Sequence, residues 1–417
     1  MSLIQSGEKV FLPHRSYAIE VKIKGQYLRD NQLRTIRISS TLAGYGPNIE
    51  LGIFITAKDM FLEEIYGQDP ITLTIRLLGQ DASELERYDI DLMCTRISHG
   101  APMAVALSDS SQEDRVSVTI STVVRDVFSS MTTMVNGVWG GADAPKTVKE
   151  VAEDIVGEAG AGLEYDTEGE NTEAIDQICV PPLVLYDALL YLDRTFGSHD
   201  GVPAVFCRLD NTVHVINLSK RIKKNAAVKI SQPSLDKKDL SELEKKSSDG
   251  KHFYLQGEFK NDFVGNSKFA ANATTIIHVA KPADTLFHLV EQDISGVCSD
   301  YGLIHKNSNP FVDSKIDRTK VLEQHIGYEY TESFANSMIA KRIFDISTIQ
   351  CVVGGNIMIE NLLKIGDPLE MDLLVTEYLN VGGKYIMYKT DILYMKEHEG
   401  DWTCTVDIVG VRTNKSI

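Results

Sequence analysis

Alternation of apolar and polar positions dominates the first hundred residues. In ITLTIRLL, residues 71–78, Ile71, Leu73 and Ile75 fall on one side of an extended chain and Thr72, Thr74 and Arg76 on the other. That two-residue period belongs to a half-buried strand. AIEVKIKG and QLRTIRIS alternate in the same way, with Leu33, Ile36 and Ile38 set among polar neighbours. A Gly and Pro turn separates two strands in STLAGYGPNIELGIFI, and AKDMFLEEIYGQD reads as a short helix or turn. Short strands at this density predict a small barrel or sandwich over residues 1–116.

The period then changes. VSVTISTVVRDVFSSMTTMVNG reads as a strand entering a helix. TVKEVAEDIVGEAG has a helix with legible ends: Thr147 as N-cap, Glu150 completing a capping box, and Gly157 or Gly160 as the stop. Val148, Val151, Ala152 and Ile155 form its apolar face. In PPLVLYDALLYLDRTFGSHDG, Pro181 and Pro182 suit the first turn of a second helix, with Leu185, Ala188, Leu189, Leu192 and Phe196 on its inner side. VPAVFCRLDNTVHVINL reads as a hairpin across Asp210-Asn211. Residues 117–212 therefore predict an α+β middle domain. Residues 213–251 hold a strand end and a basic insertion. Residues 252–330 continue the middle region, with TTIIHVAKP as a strand and DTLFHLVEQDI as a short helix.

Residues 331–417 return to strands after one helical segment, TESFANSMIAKRIFDIS. IQCVVGGNIMI and DPLEMDLLV read as strands. KYIMYKTDILYMKEHEGDWTCTVDIVGV is the clearest hairpin in the chain, with Ile392 and Tyr394 alternating on one arm and Trp402, Cys404, Val406 and Ile408 on the other. The fold class that follows is α+β and mainly β: two small β-barrels separated along the chain by a mixed middle region.

Composition narrows the partners. The 417 residues leave room for roughly two to four domains. Six cysteines without a CxxC pair speak for scattered buried thiols rather than a disulfide or zinc scaffold. No apolar run approaches bilayer length, and the N-terminal stretch carries charges where a signal peptide needs its apolar core. A net charge of -17 argues against a protein that wraps nucleic acid, though not against a channel through which nucleic acid passes. The basic charge is uneven. Residues 220–251 hold ten bases against five acids, leaving 32 bases against 54 acids elsewhere. This segment reads as a long exposed insertion, or as a patch contacting an acidic partner.

Catalytic motifs are missing. There is no phosphate-binding GxxxxGK[ST], no HExxH and no GxSxG, and the ten histidines show no metal-ligand spacing. No catalytic residue, cofactor or metal is expected. The remaining candidates are structural. Gly355-Asn356, Gly366-Asp367 and Gly400 supply turns. Tyr385, Tyr388, Tyr394 and Trp402 are candidates for a ring interface, with core packing as the alternative. Glu370, Asp372 and Asp407 alternate with apolar residues on strands, and would line an acidic bore or simply face solvent.

The closing pattern resembles the baseplate hub protein of contractile-tailed bacteriophages, the ring on which the central spike sits. The resemblance lies in the order of ESFANSMIAKR, GGNIMIENLLKIGDPLEMDL and YIMYKTDILYMKEHEGDWTCTVDIVGVRTNKS, preceded by LRTIRISSTLAGYGPNIELGIFITAKDM, APKTVKEVAEDIVGEAGAGL and VPPLVLYDALLYLDRTFG. It implies a non-enzymatic homotrimer in the tail baseplate of a virion, assembled in the host cytoplasm. Two barrels per subunit would build a pseudo-sixfold ring that adapts the tail tube to a threefold spike. The implied partners are the spike, the tail tube and inner baseplate proteins, with DNA crossing the bore unbound. A tail-tube initiator or a related injection-system hub is the near alternative, and a hub-associated cell-wall hydrolase the distant one.

Overall fold

The computed structural model describes residues 16–29, 31–55, 65, 69–79, 82–99, 116–199, 203–231, 251–255, 260–263, 277–283, 286–292, 347–354, 364–372, 382–396 and 402–412. It is mainly β, with a closed six-stranded barrel. The first unit comprises β1 (Ser16–Ile23), β2 (Gln26–Tyr27), β3 (Leu33–Thr41), β4 (Asn48–Ile55), β5 (Ile71–Leu78), β6 (Glu84–His99) and β7 (Val116–Val124). They pair in the order β3-β4-β7-β6-β5-β1-β2. Ile71, Leu73 and Ile75 are buried as their alternation requires. Leu33 and Ile36 are both buried despite odd spacing because a bulge between Leu33 and Thr35 shifts the register. The segment AKDMFLEEIYGQD lies mostly outside the described residues.

The middle region follows with α1 (Arg125–Met131), β8 (Met134–Trp139), α2 (Val148–Glu158), β9 (Gly162–Tyr165), β10 (Ile178–Val184), α3 (Leu185–Phe196), β11 (Pro203–Cys207), β12 (Thr212–Asn217) and the short α4 (Leu218–Arg221). The α2 capping box forms: Glu150 N donates to Thr147 Oγ1 and Thr147 N to Glu150 Oε2. Val148, Val151, Ala152 and Ile155 are buried. Pro181 and Pro182 are not the first turn of α3. They sit in a bulge of β10, and the helix begins at Leu185. A proline cannot donate to the ladder, so the pair falls where the β8–β10 register breaks. The β11–β12 hairpin turns at Asn211, with φ 58°.

The last strands are β13 (Val228–Ser231), β14 (His252–Leu255), β15 (Lys260–Phe263), β16 (Ile277–Ala283), β17 (Leu286–Gln292), β18 (Ser347–Gly354), β19 (Pro368–Asp372), β20 (Gly383–Lys396) and β21 (Trp402–Arg412). β17 corrects the helix expected over DTLFHLVEQDI, since it pairs antiparallel with β16 along its whole length. Leu286, Leu289 and Val290 mimic a helical spacing, which a nearby partner strand overrides. The expected helix over TESFANSMIAKR lies outside the described residues.

The closed barrel runs β13-β14-β18-β21-β20-β19 and back to β13. It is therefore not confined to residues 331–417, because β13 and β14 are two of its staves. They run parallel, and a parallel pair needs a crossover of a dozen or more residues. The connection between Ser231 and His252 supplies it.

The closed barrel and the first unit share one hairpin. Lower β20 pairs with β19, while its upper half, Lys389 to Met395, pairs with β3. β21 accompanies β20 throughout. One face of this hairpin, Tyr385, Met387, Ile392, Tyr394, Trp402, Val406 and Ile408, lies in the continuous main core. A bulge between Met387 and Lys389 keeps that face turned inward as the strand passes from one barrel to the other. The first sheet curls until β1 meets β21, and beside that contact the Tyr17 ring packs edge to face at 5.1 Å on Tyr394 of the adjoining β20. Tyr394→Ala should therefore cost about 3–5 kcal/mol, read as a lower urea midpoint by Trp402 fluorescence. A loss below about 1 kcal/mol would mean that this seam does not close the first barrel.

Candidate functional site

The turn before β19 is where the middle region meets the closed barrel. Gly366 has φ +85°, a left-handed conformation that glycine tolerates. A side chain there would also lack room: a Cβ would stand 2.6 Å from Ile216 Cδ1 and 2.9 Å from Phe206 Cζ. The turn is tied to β20 by Gly366 N donating to Met387 O at 2.9 Å and Met387 N to Asp367 O at 3.0 Å. Around it, Leu42 from the first unit, Phe206, Ile216 and Leu218 from the middle region, and Ile365, Ile386 and Val411 from the barrel form one apolar cluster.

Beside this cluster sits a buried arginine. Arg221, at the end of α4, is 8% exposed. Its Nε donates to Asp166 Oδ2 at 2.9 Å, its Nη2 to Glu164 Oε1, and its Nη1 to Asp367 Oδ1 at 2.7 Å. One guanidinium thus joins two carboxylates at the end of β9 to one in the barrel turn. Arg208 adds Nη2 to Ile365 O at 2.9 Å and to Asp367 Oδ2 at 3.4 Å. His214 Nδ1 lies 3.1 Å from Glu164 Oε2, with its ring stacked on Phe206 at 5.1 Å. Asn217 N donates to Asp166 Oδ2 at 3.1 Å, and Lys224 Nζ lies 3.5 Å from Asp166 Oδ1. Arginine suits this place because its planar fork serves several acceptors at once and keeps its charge when buried.

The electrostatics follow from the contacts. The closely placed His214, reinforced by Arg221, brings the Glu164 carboxyl down to about 2. Burial pushes Asp166 up, but Arg221 and the Asn217 amide outweigh it, so its carboxyl ends below the usual range. Burial opposes the Arg221 charge, and the carboxylates more than reverse that.

A second polar cluster packs behind β9. Ser198 Oγ donates to Asp193 Oδ1 at 2.8 Å, His199 Nδ1 is 3.2 Å from Ser198 Oγ, and His199 Nε2 is 2.8 Å from Asp166 O. Nucleophilic chemistry would need the histidine between serine and carboxylate. Here serine occupies the middle, and all three side chains are buried. The cluster is scaffold that fixes the Asp166 backbone. Among the described residues, no group of three or more His, Cys, Asp or Glu could hold a metal ion. Burial raises the Cys207 and Cys351 thiols to about 12. Cys179 departs from the expected buried pattern and is exposed.

The other sequence candidates fall in several places. Gly355, Asn356 and Gly400 lie outside the described residues. Tyr385 and Tyr394 are fully buried and Trp402 is 7% exposed, so within the subunit their rings pack in the core, the alternative that the sequence left open. Tyr388 is half-buried against the inter-unit cluster. Glu370 faces Lys229 and Lys384 on its two flanking strands, with Lys229 Nζ 3.3 Å from Glu370 Oε2. Its charge is therefore compensated. Asp372 is exposed. Asp407 stands opposite Asp391 and accepts from Gln350 Nε2 at 2.7 Å. Asp391 is held by Arg37, whose Nε donates to Oδ1 at 2.7 Å. That hydrogen bond keeps Asp391 below the usual carboxylate range.

The fold is shared with two solved tail proteins. The chain is similar in structure to the tail protein from Neisseria meningitidis MC58, with TM-score 0.53 and 10% identity over 95% of this chain and 97% of that one. It is likewise similar to the 43 kDa tail protein of prophage MuSo2 from Shewanella oneidensis, with TM-score 0.52 and 12% identity over 95% of this chain and 99% of that one. A weaker likeness, TM-score 0.43, is to the lidless PdpA-VgrG complex, at 12% identity over 95% of this chain and 65% of that one. No protein-family model and no curated protein sequence matches the chain.

Arg221→Leu leaves three carboxylates around an apolar side chain. At neutral pH it should cost about 3–5 kcal/mol, measured by urea titration. Glu164 and Asp166 have folded values below their unfolded ones, so their contribution is complete above the unfolded carboxylate range near 4 and fades as pH falls toward 2. The gap in melting temperature between wild type and Arg221→Leu should therefore narrow from pH 7 to pH 3. A gap that stays constant or widens would contradict the ion-pair account.

Proposed function

We propose that the chain is a structural protein of a phage-type tail, a homotrimeric baseplate hub that adapts a sixfold tube to a threefold spike. The observation that carries this reading is the shared fold: nearly the whole chain superposes on nearly the whole of two tail proteins. Two features of the chain support it. Two β-units of comparable size lie side by side within one subunit, so three subunits would present six to a tube above. These two units, with the middle region braced against them through Arg221 and the Phe206 cluster, suit a part that transmits load. The role needs no catalytic site. Asp372 and Asp407 are proposed to face the bore, where acidic side chains would repel a phosphate backbone and let DNA pass. The site of action would be the tail baseplate of the virion.

Light scattering on the purified chain should give about 139 kDa, three times the 46.3 kDa subunit. The trimer should also bind a purified spike trimer. A species of subunit mass at high concentration, both with and without the spike, would refute the hub reading.

A further inference from the structure

The hydrogen bonds behind β9 require one more proton than their groups ordinarily hold at neutral pH. His199 Nε2 lies 2.8 Å from Asp166 O, a carbonyl that can only accept, so Nε2 carries a hydrogen. On the other side of the ring, His199 Nδ1 lies 3.2 Å from Ser198 Oγ. The Ser198 hydroxyl has a single hydrogen to give. Asp193 Oδ1 takes it at 2.8 Å and also accepts from Ser198 N at 3.3 Å. A lone pair on Nδ1 would therefore face a serine oxygen whose hydrogen is already committed. The contacts close in one direction: Nδ1–H to Ser198 Oγ, then Oγ–H to Asp193 Oδ1. Both ring nitrogens then carry hydrogens, and the ring is charged.

The surroundings favour that charge. His199 is 0% exposed, and burial alone penalises an imidazolium. Three acids oppose the penalty. Asp193 on α3 is reached through Ser198, and Glu170 lies across an isolated bridge from His199. Glu153 stands on α2, and burial together with these three acids holds the Tyr165 hydroxyl above its usual range. Tyr165 stacks on His199 at 4.9 Å, which offers the face of its ring to a cation. The charged groups beyond are engaged with one another. Lys149 Nζ, 5.9 Å from the Tyr165 ring centroid, lies 3.4 Å from Glu170 Oε2. Arg221 and Lys224 face the Asp166 carboxylate, and Glu164 is taken by Arg221 and His214.

We propose that His199 is held as a buried imidazolium, and that its proton makes the seat of Asp166 responsive to alkaline pH. Asp166 is the link outward. Its carbonyl takes the Nε2 hydrogen, while its carboxylate holds Arg221, which reaches Asp367 in the closed barrel. Loss of the Nδ1 proton sets a lone pair against Ser198 Oγ and removes the buried counter-charge of Asp193. The loop after α3 then loosens, and with it the joint at Arg221. The device belongs to a single chain and stands whether or not chains assemble.

An imidazolium kept above the ordinary histidine range near 6.5 contributes stability that is complete below about 6.5 and is lost as pH rises through the folded value. Urea titrations of the full chain compare wild type with His199→Gln. The ratio of their unfolding constants, variant over wild type, should fall by up to about tenfold per pH unit above about 6.5. A ratio that stays constant from pH 7 to pH 9 would overturn the proposal. A second measurement needs no variant to fold. Nitrogen NMR of histidine-labelled wild type at pH 8 should show one histidine with both ring nitrogens protonated, and Asp193→Asn should convert it to the neutral pattern. No such signal, or one that Asp193→Asn leaves unchanged, would also overturn the proposal. The Asn217 amide, which donates to Asp166 Oδ2 at 3.1 Å, should lose exchange protection with the same pH midpoint. Protection that outlasts the proton would overturn the link to the joint.

Discussion

The β20–β21 hairpin carries one inward face through the closed barrel and the first unit, and the other packing layers are arranged around it. A strand that pairs with β19 at one end and β3 at the other cannot shift register in one barrel without shifting it in both. The bulge at Met387 is the device that makes this workable. It absorbs the change of direction while Tyr385, Met387, Ile392 and Tyr394 stay in one core. The closed barrel and the first unit are thereby joined by backbone hydrogen bonds.

The middle region is attached differently. Its contacts with the closed barrel are an apolar cluster around Gly366 and a guanidinium shared among Glu164, Asp166 and Asp367. Burial of these charges is costly on its own, and the fork geometry of Arg221 together with Arg208, His214 and the Asn217 amide offsets the cost. Such a joint specifies one docking angle more than it adds stability. In the proposed hub, that would hold the outer parts of each subunit at a fixed angle to the ring.

Local signals in the sequence were the dependable ones. The Thr147–Glu150 capping box, the alternation of 71–78 and the long closing hairpin are each written within one continuous stretch of about thirty residues or fewer, and each formed. What was not legible is what distance conceals. Arg221 lies in a lysine-rich stretch that reads as solvated, and its partners are 55 and 146 residues away. Asp367 reads as turn chemistry, which it is, and nothing nearby announces its ion pair. β13 and β14 join the barrel through parallel pairing across a long connection, which leaves no periodic trace. The tyrosines expected at an interface alternate correctly, but alternation does not say whether the inward side faces a core or a neighbour.

In the proposed hub, each chain is one sector of a ring and contributes its two β-units to the wall. Electron-microscopy class averages of the purified protein, viewed down the assembly axis, address this directly. The account predicts a threefold particle with a central hole and six lobes of similar size around it. A twofold dimer, or a threefold particle with a filled centre, would contradict it.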